Sequence, residues 1–278
     1  FSDDGSPVYD AELMRRAFEY CRMFDKPILA HEEVLELSHG GVMNEGLVSM
    51  SLGLKGMPAA AEEVMIGRDI ALADVTGGRL HVMHVSTAHG VDLIREAKSR
   101  GVRVTAEACP HHFTLTDESL RGFDSNFKMS PPLRTAKDVE GILAGLADGT
   151  LDCIATDHAP HAPEKKLLEL DRAPFGILGL ETAVGLSVTR LIESGRIDWP
   201  RFVEAISLMP SRILGINRGT LRPGAIADVT LIDPSCEWQV DVNSFSSKSV
   251  NSPFHGWTLR GRAVATIVHG KVKYRLSS

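Results

Sequence analysis

Four residues carry the chemistry this sequence offers: Asp4, His31, His84 and Asp157. Each closes a short apolar run. Imidazole nitrogen and carboxylate oxygen are the donors that Zn²⁺ and similar borderline divalent cations take. Three such ligands and an open position make a mononuclear catalytic site, whereas two ions need a bridging group. Taken singly, a histidine after a strand is more often a satisfied hydrogen-bonding group, and an aspartate there a helix cap. Recurrence at equivalent points of successive runs is what points to metal chemistry. Asp157 has a second use, because a carboxylate beside activated water takes its proton and returns it to a leaving nitrogen. In LDCIATDHAPHAP (151–163) it is flanked by His158 and His161. One could cap the loop while the other faces substrate, and the pattern leaves their order open.

These side chains need elements to hold them. PILA (27–30), LHVMHV (80–85), 102–106 and 151–156 read as strands, and Phe1-Ser2 reads as the end of another. Helical periodicity covers 10–24, 60–76, 88–99, 136–147, 180–194 and 200–208. Alternation of this kind predicts a parallel α/β sheet. A doubly wound sheet and a (β/α)8 TIM-type barrel both fit. The barrel is favoured because a polar group stands at the C-terminal end of every strand: Asp3-Asp4, His31, His84, Glu107 with His111 and His112, and Asp157. No GxGxxG or phosphate loop is present, as a nucleotide-binding doubly wound sheet would often need. Asp3 and Asp4 are adjacent, so alternation lets at most one face the site. Five strand ends against the eight of a barrel place the chain at strands four to eight, with three more expected ahead of Phe1. From residue 219 short alternating segments between Gly/Pro turns predict a small C-terminal β-domain (219–278) beside the barrel part (1–218), most simply a structural appendage.

Composition excludes several classes. Hydrophobic residues make up 43% of the 278, enough for a large core. The net charge of −6 and the lack of basic blocks argue against nucleic acid and anionic membranes. No apolar run reaches the roughly 18 residues of a membrane span. Cys21, Cys109, Cys153 and Cys236 lie far apart, so a reducing cytoplasm is expected. GLSVT lacks the second glycine of a serine-hydrolase elbow. Glu32-Glu33 reads as solvated loop charge, with support of the His31 ligand as the alternative, and His111-His112 as buried groups bonded to backbone, with a supporting role beside the site as the alternative; His39, His81, His89, His255 and His269 read as incidental.

Seven motifs, taken together, resemble the bacterial class I dihydroorotases of the amidohydrolase superfamily. They are FSDDGSPV (1–8), PILAHEE (27–33), LHVMHVST (80–87), VTAEACPHHFTLTD (104–117), FKMSPPLR (127–134), DGTLDCIATDHAPH (148–161) and APFGILGLETA (173–183). The tail GTLRPGAIADVTLIDP resembles the family's small β-domain. The resemblance implies one or two Zn²⁺ per chain. Asp4 would bridge them at the end of strand four, where many relatives carry a carboxylated lysine. His31 and His84 would bind the second metal, and Asp157 the first while serving as acid/base. His161 would contact substrate, and Phe175 and Gly176 would meet the ring through backbone groups. The family's strand-one His-x-His pair, a substrate arginine and a strand-three asparagine have no counterpart in these residues. Ser130 stands where the family often has a substrate-binding asparagine, and hydantoinase-like relatives also have serine there.

The activity implied is reversible hydrolysis of L-dihydroorotate to N-carbamoyl-L-aspartate, with Arg134 a local candidate for the substrate carboxylate. A homodimer and a complex with aspartate transcarbamoylase are the partners the resemblance suggests. The alternatives are a hydantoinase or dihydropyrimidinase and an inactive scaffold for the transcarbamoylase.

Overall fold

The computed structural model describes residues 1–276. Its strands are β1 (Pro27–Ala30), β2 (Met43–Asn44), β3 (Gly56–Met57), β4 (Arg79–Val82), β5 (Val104–Ala108), β6 (Cys153–Ile154), β7 (Val229–Gln239), β8 (Thr258–Val268) and β9 (Lys271–Arg275). The main sheet has the order β1-β4-β5-β6 and is wholly parallel. Ser2 bridges Leu29 in parallel fashion, and the Leu29 amide donates to the Phe1 carbonyl at 2.8 Å. Phe1-Ser2 thus stands next to β1, where a preceding strand end belongs. Spatial order follows chain order with no reversal. A doubly wound sheet reverses at its switch point, so the arrangement is an arc of (β/α)8 barrel wall.

The helices form where the periodicity places them, because each start has its cap. Asp10 accepts from the Leu13 amide, opening Ala11–Arg22. Thr87 accepts from Gly90, opening Ala88–Ser99. Thr135 and Asp138 form a reciprocal capping box before Ala136–Asp148. These helices and Ala60–Thr76 press Met14, Phe18, Ile66, Ile94 and Ile142 onto Ala30, Val82 and Ala106 of the strands, all fully buried. A second core forms under the loops, from Met43, Leu133, Ile177, Phe254 and Leu259.

The last helices depart from expectation in their details. The segment 180–194 is helical over Ala183–Ser187 and widens to a π turn over Val188–Ile192. Helix Trp199–Val203 also passes into a π turn, Glu204–Leu208, and then continues as Met209–Leu214. Pro210 explains the second case: it has no N–H and its ring crowds the carbonyl four residues back, so the widened turn absorbs the clash.

The C-terminal strands form an antiparallel sheet in the order β7-β8-β9. A register shift between Asp233 and Glu237 takes up Pro234, which cannot donate to a ladder. Leu259 and Trp238 pack on Gly185, and Gly261 on Val188. The loop 38–46 holds β2, whose parallel partner β3 begins at Gly56. A Cβ at Gly56 would lie 2.3 Å from Glu45 Cα.

Candidate active site

Asp4, His31 and His84 converge at the C-terminal ends of adjacent strands. His31 Nδ1 lies 3.0 Å from His84 Nε2, and Asp4 Oδ1 lies 3.7 and 3.6 Å from these two nitrogens. Tetrahedral ligands on bonds of 2.0–2.1 Å stand roughly 3.3 Å apart, so the three atoms fit one divalent cation. The far nitrogen of His31, Nε2, bonds Glu33 Oε2 at 3.1 Å. A carboxylate there fixes the tautomer that leaves Nδ1 free for a metal. The triad therefore has the donor set, spacing and outer support of a metal site.

Local structure sets these positions. Asp3 turns away from the site: Oδ1 accepts from the His31 amide at 2.8 Å and Oδ2 from Val8 at 2.7 Å. Of the Asp3-Asp4 pair, one is a turn residue and the other faces the histidines, as alternation requires. His84 and Asp157 both have positive φ, 35° and 43°. That region costs a non-glycine residue about 1–3 kcal/mol and is found where a site imposes it.

The charges reinforce one another. Hydrogen bonds from His31 and then His84 hold Asp4 well below the usual carboxylate range, against the effect of burial. Burial is the largest influence on His31 and lowers it, yet bonds to Asp4 and Glu33 raise its pKa to about 9. Burial pushes Asp157 upward, with His84 opposing and Asp4 adding to the rise.

A cavity of about 520 Å³ opens beside the triad, within the range of small-molecule sites. Asp4, His31, Asp157, Ser130, Phe175 and Gly176 line it, together with Glu33 and His39. Asp157 shares this wall but is not drawn into the three-residue ligand cluster. His158 and His161, left unranked by pattern, both serve the loop. His158 Nδ1 accepts from Gly179 at 3.2 Å, and His161 Nε2 meets the Phe175 carbonyl at 2.7 Å. His161 does not line the cavity. The Gly176 amide donates to Lys128 O, so this backbone group too has an internal partner.

Several expectations are corrected. Glu32-Glu33 is not solvated loop charge: Glu33 takes the alternative role of bonding His31, and Glu32 is buried with neither oxygen bonded. Burial, then the Asp69 carboxylate, pushes Glu32 well up, which favours its neutral form. His81 is not incidental, since it joins Thr105 Oγ1 to Glu107 Oε2 at 2.8 and 3.0 Å inside the sheet. Arg134 is no substrate clamp. It is 3% exposed and spends its donors on Ser86, Asn44, Met57 O and Glu62. His112 bonds the Pro131 carbonyl as expected, whereas His111 Nε2 has no partner; with Cys109 they form a buried grouping that does not line the cavity.

Sequence reasoning missed Asn251 altogether. It is 2% exposed and joins the loops that carry Asp157 and Gly176. No local signal marks it, because its partners lie 75 to 92 residues away.

Residues 1–273 match the Amidohydrolase family. The chain is 58% identical over 272 residues to a dihydroorotase of Pelotomaculum thermopropionicum, covering 98% of this chain and 64% of that protein. It is 54% identical over 274 residues to one of Citrifermentans bemidjiense, covering 99% and 64%. The chain thus spans 64% of the length of these curated relatives. Among solved structures, the L-hydantoinase (dihydropyrimidinase) of Arthrobacter aurescens matches with a TM-score of 0.87 at 27% identity, covering 100% of this chain and 64% of that one. The D-hydantoinase (dihydropyrimidinase) of Thermus sp. matches at 0.84 and 28%, covering 96% and 60%. Barrel arc, a strand-end cluster of Asp and His side chains and a sequence match running almost from end to end agree: the chain belongs to the amidohydrolase family.

Proposed function

We propose that this chain carries the Asp4, His31, His84 and Asp157 part of a dihydroorotase active site. The reaction is reversible hydrolysis of L-dihydroorotate to N-carbamoyl-L-aspartate, a step of pyrimidine biosynthesis. The observation that carries the reading is the Asp4–His31–His84 triad on a cavity wall that Asp157 shares. The choice of substrate rests on relatives named dihydroorotase at 54% and 58% identity, against 27% and 28% for the hydantoinases.

Zn²⁺ held by Asp4, His31 and His84 would supply Lewis-acid polarisation of the scissile ring carbonyl and make a nearby water acidic. Glu33 orients His31. Asp157, on the same cavity wall, would take a proton from the attacking water and return it to the departing ring nitrogen. Ser130 and the Phe175–Gly176 wall face the ring, and His161 orders that wall through the Phe175 carbonyl. Residues 1–218 would form the catalytic part and 219–278 the small β-domain. The reading also carries a cytoplasmic setting, a homodimer, and aspartate transcarbamoylase as a further partner. Light scattering of the protein alone and with the transcarbamoylase tests the two assemblies. No helix among the described residues is long and apolar enough to cross a membrane.

The deciding assay offers dihydroorotate and dihydrouracil to the zinc-loaded protein. Turnover of dihydroorotate is expected. Turnover of dihydrouracil alone would replace the reading with a hydantoinase-type enzyme, and failure to bind zinc would favour a scaffold.

A further inference from the structure

Asn251 lies in the C-terminal segment, outside every element that presents a candidate ligand. Its side chain is spent entirely on two other loops. Oδ1 accepts from the His161 amide at 3.0 Å. Nδ2 donates to the Ala159 carbonyl at 2.9 Å and to the Gly176 carbonyl at 3.1 Å. Its own carbonyl accepts from Leu178 at 3.0 Å. A neutral amide is the one side-chain group of this size that can donate twice and accept at the same time. At 2% exposure no water replaces these bonds.

The two loops so joined are in intimate contact. His158 bridges Ile177, and the Ala159 amide donates to the Ile177 carbonyl at 3.0 Å. A Cβ at Gly176 would come within 2.8 Å of the Ala159 carbonyl and the His161 ring, and one at Gly179 within 2.4 Å of the Thr156 carbonyl. Asp157 sits between Thr156 and His158, so its backbone has contacts with the second loop on both sides. Its φ of 43° must be imposed from outside the residue. Lys166 adds to the same clamp, its Nζ donating to the Pro174 and Gly176 carbonyls at 3.0 and 3.1 Å.

We propose that Asn251 is a positioning residue that fixes the Asp157 loop against the Phe175–Gly176 wall, and so couples the C-terminal segment to the cavity. The kinetic part of this inference rests on the dihydroorotase reading; the structural part does not. Asn251→Asp tests it, because the change keeps the size and the bond to the His161 amide but removes both donors. Under native conditions, hydrogen exchange in the variant should be faster than in wild type at 156–162 and 174–180, while helix Ala60–Thr76 keeps its protection. Zinc content should stay at the wild-type value. The kcat for dihydroorotate should fall at least tenfold, with KM changing far less.

Unchanged exchange in both loops would overturn the proposal. So would wild-type kcat, or a loss of activity matched by general loss of exchange protection and a lower Tm, which would make Asn251 merely structural. If Asn251→Asp proves too unstable, Asn251→Ser, which keeps one donor, should give an intermediate loop exchange rate; an exchange rate equal to wild type would again overturn it. If wild-type protein does not turn over dihydroorotate, the functional reading falls, and the exchange comparison alone decides the positioning role.

Discussion

Removing the Glu33 carboxylate tests whether the triad is a metal site held from outside or a chance meeting of polar groups. Glu33 Oε2 sits 3.1 Å from His31 Nε2, on the ring edge opposite Asp4 and His84. The imidazole is 7% exposed and the carboxylate 18%, so solvent does little to replace the bond. Without the carboxylate, His31 can place its proton on Nδ1, which cannot then bind a metal, or rotate its ring. Outer-shell partners of this kind are worth about 10- to 100-fold in metal affinity, or about 1.4–2.7 kcal/mol. Glu33→Gln keeps a carbonyl acceptor and loses only the charge, so it belongs near the lower limit. Glu33→Ala loses both and belongs near the upper. The assay is a zinc titration against a fluorescent chelator, with Glu36→Gln as control, since Glu36 is exposed and bonds only the Tyr9 hydroxyl. Wild-type affinity in both Glu33 variants, or an equal loss in the control, would refute the reasoning.

Asp157→Asn should lower turnover by about 100- to 10,000-fold and leave zinc at the triad in place; measured zinc loss would make Asp157 a ligand first. Burial lowers the pKa of His112 to about 3, so the unfolded chain takes up a proton below pH 6.5 that the folded chain refuses. Stability should therefore fall as pH drops from 6.5 towards 3, by about 5 kcal/mol at most. Denaturant midpoints for His112→Gln should fall less steeply over that window than those of wild type. Arg134→Met should destabilise by about 3 kcal/mol, because Glu62 stays buried without its cation. Its KM for dihydroorotate should change little, and a stable variant with a selectively raised KM would return Arg134 to the cavity.

Most of the barrel arc was legible because its signals are local. Asp10, Thr87 and Thr135 announce their helices, and the apolar runs carry the strands. The meeting of Asp4, His31 and His84, with Asp157 on the adjoining cavity wall, was legible because strand ends recur at one level of a barrel. Cys153–Ile154 is shorter than the expected 151–156, although Asp152 and Ala155 still bond to β5 carbonyls. The charge roles were not legible. Nothing in PILAHEE distinguishes Glu33, which faces its own histidine, from Glu32, which is buried against Asp69. Arg134 and Asn251 find their meaning in partners brought from distant parts of the chain, and type and spacing do not encode such meetings.

The left-handed backbone at His84 and Asp157 sets a trap for protein engineering. Glycine adopts that conformation freely, at less cost than the histidine and aspartate that stand there. A selection for thermostability alone would therefore reward Gly at positions 84 and 157. Each gain would remove a side chain from the cavity or from the Asp4–His31–His84 cluster beside it. A stabilisation campaign should hold these two positions fixed and look for its gains elsewhere.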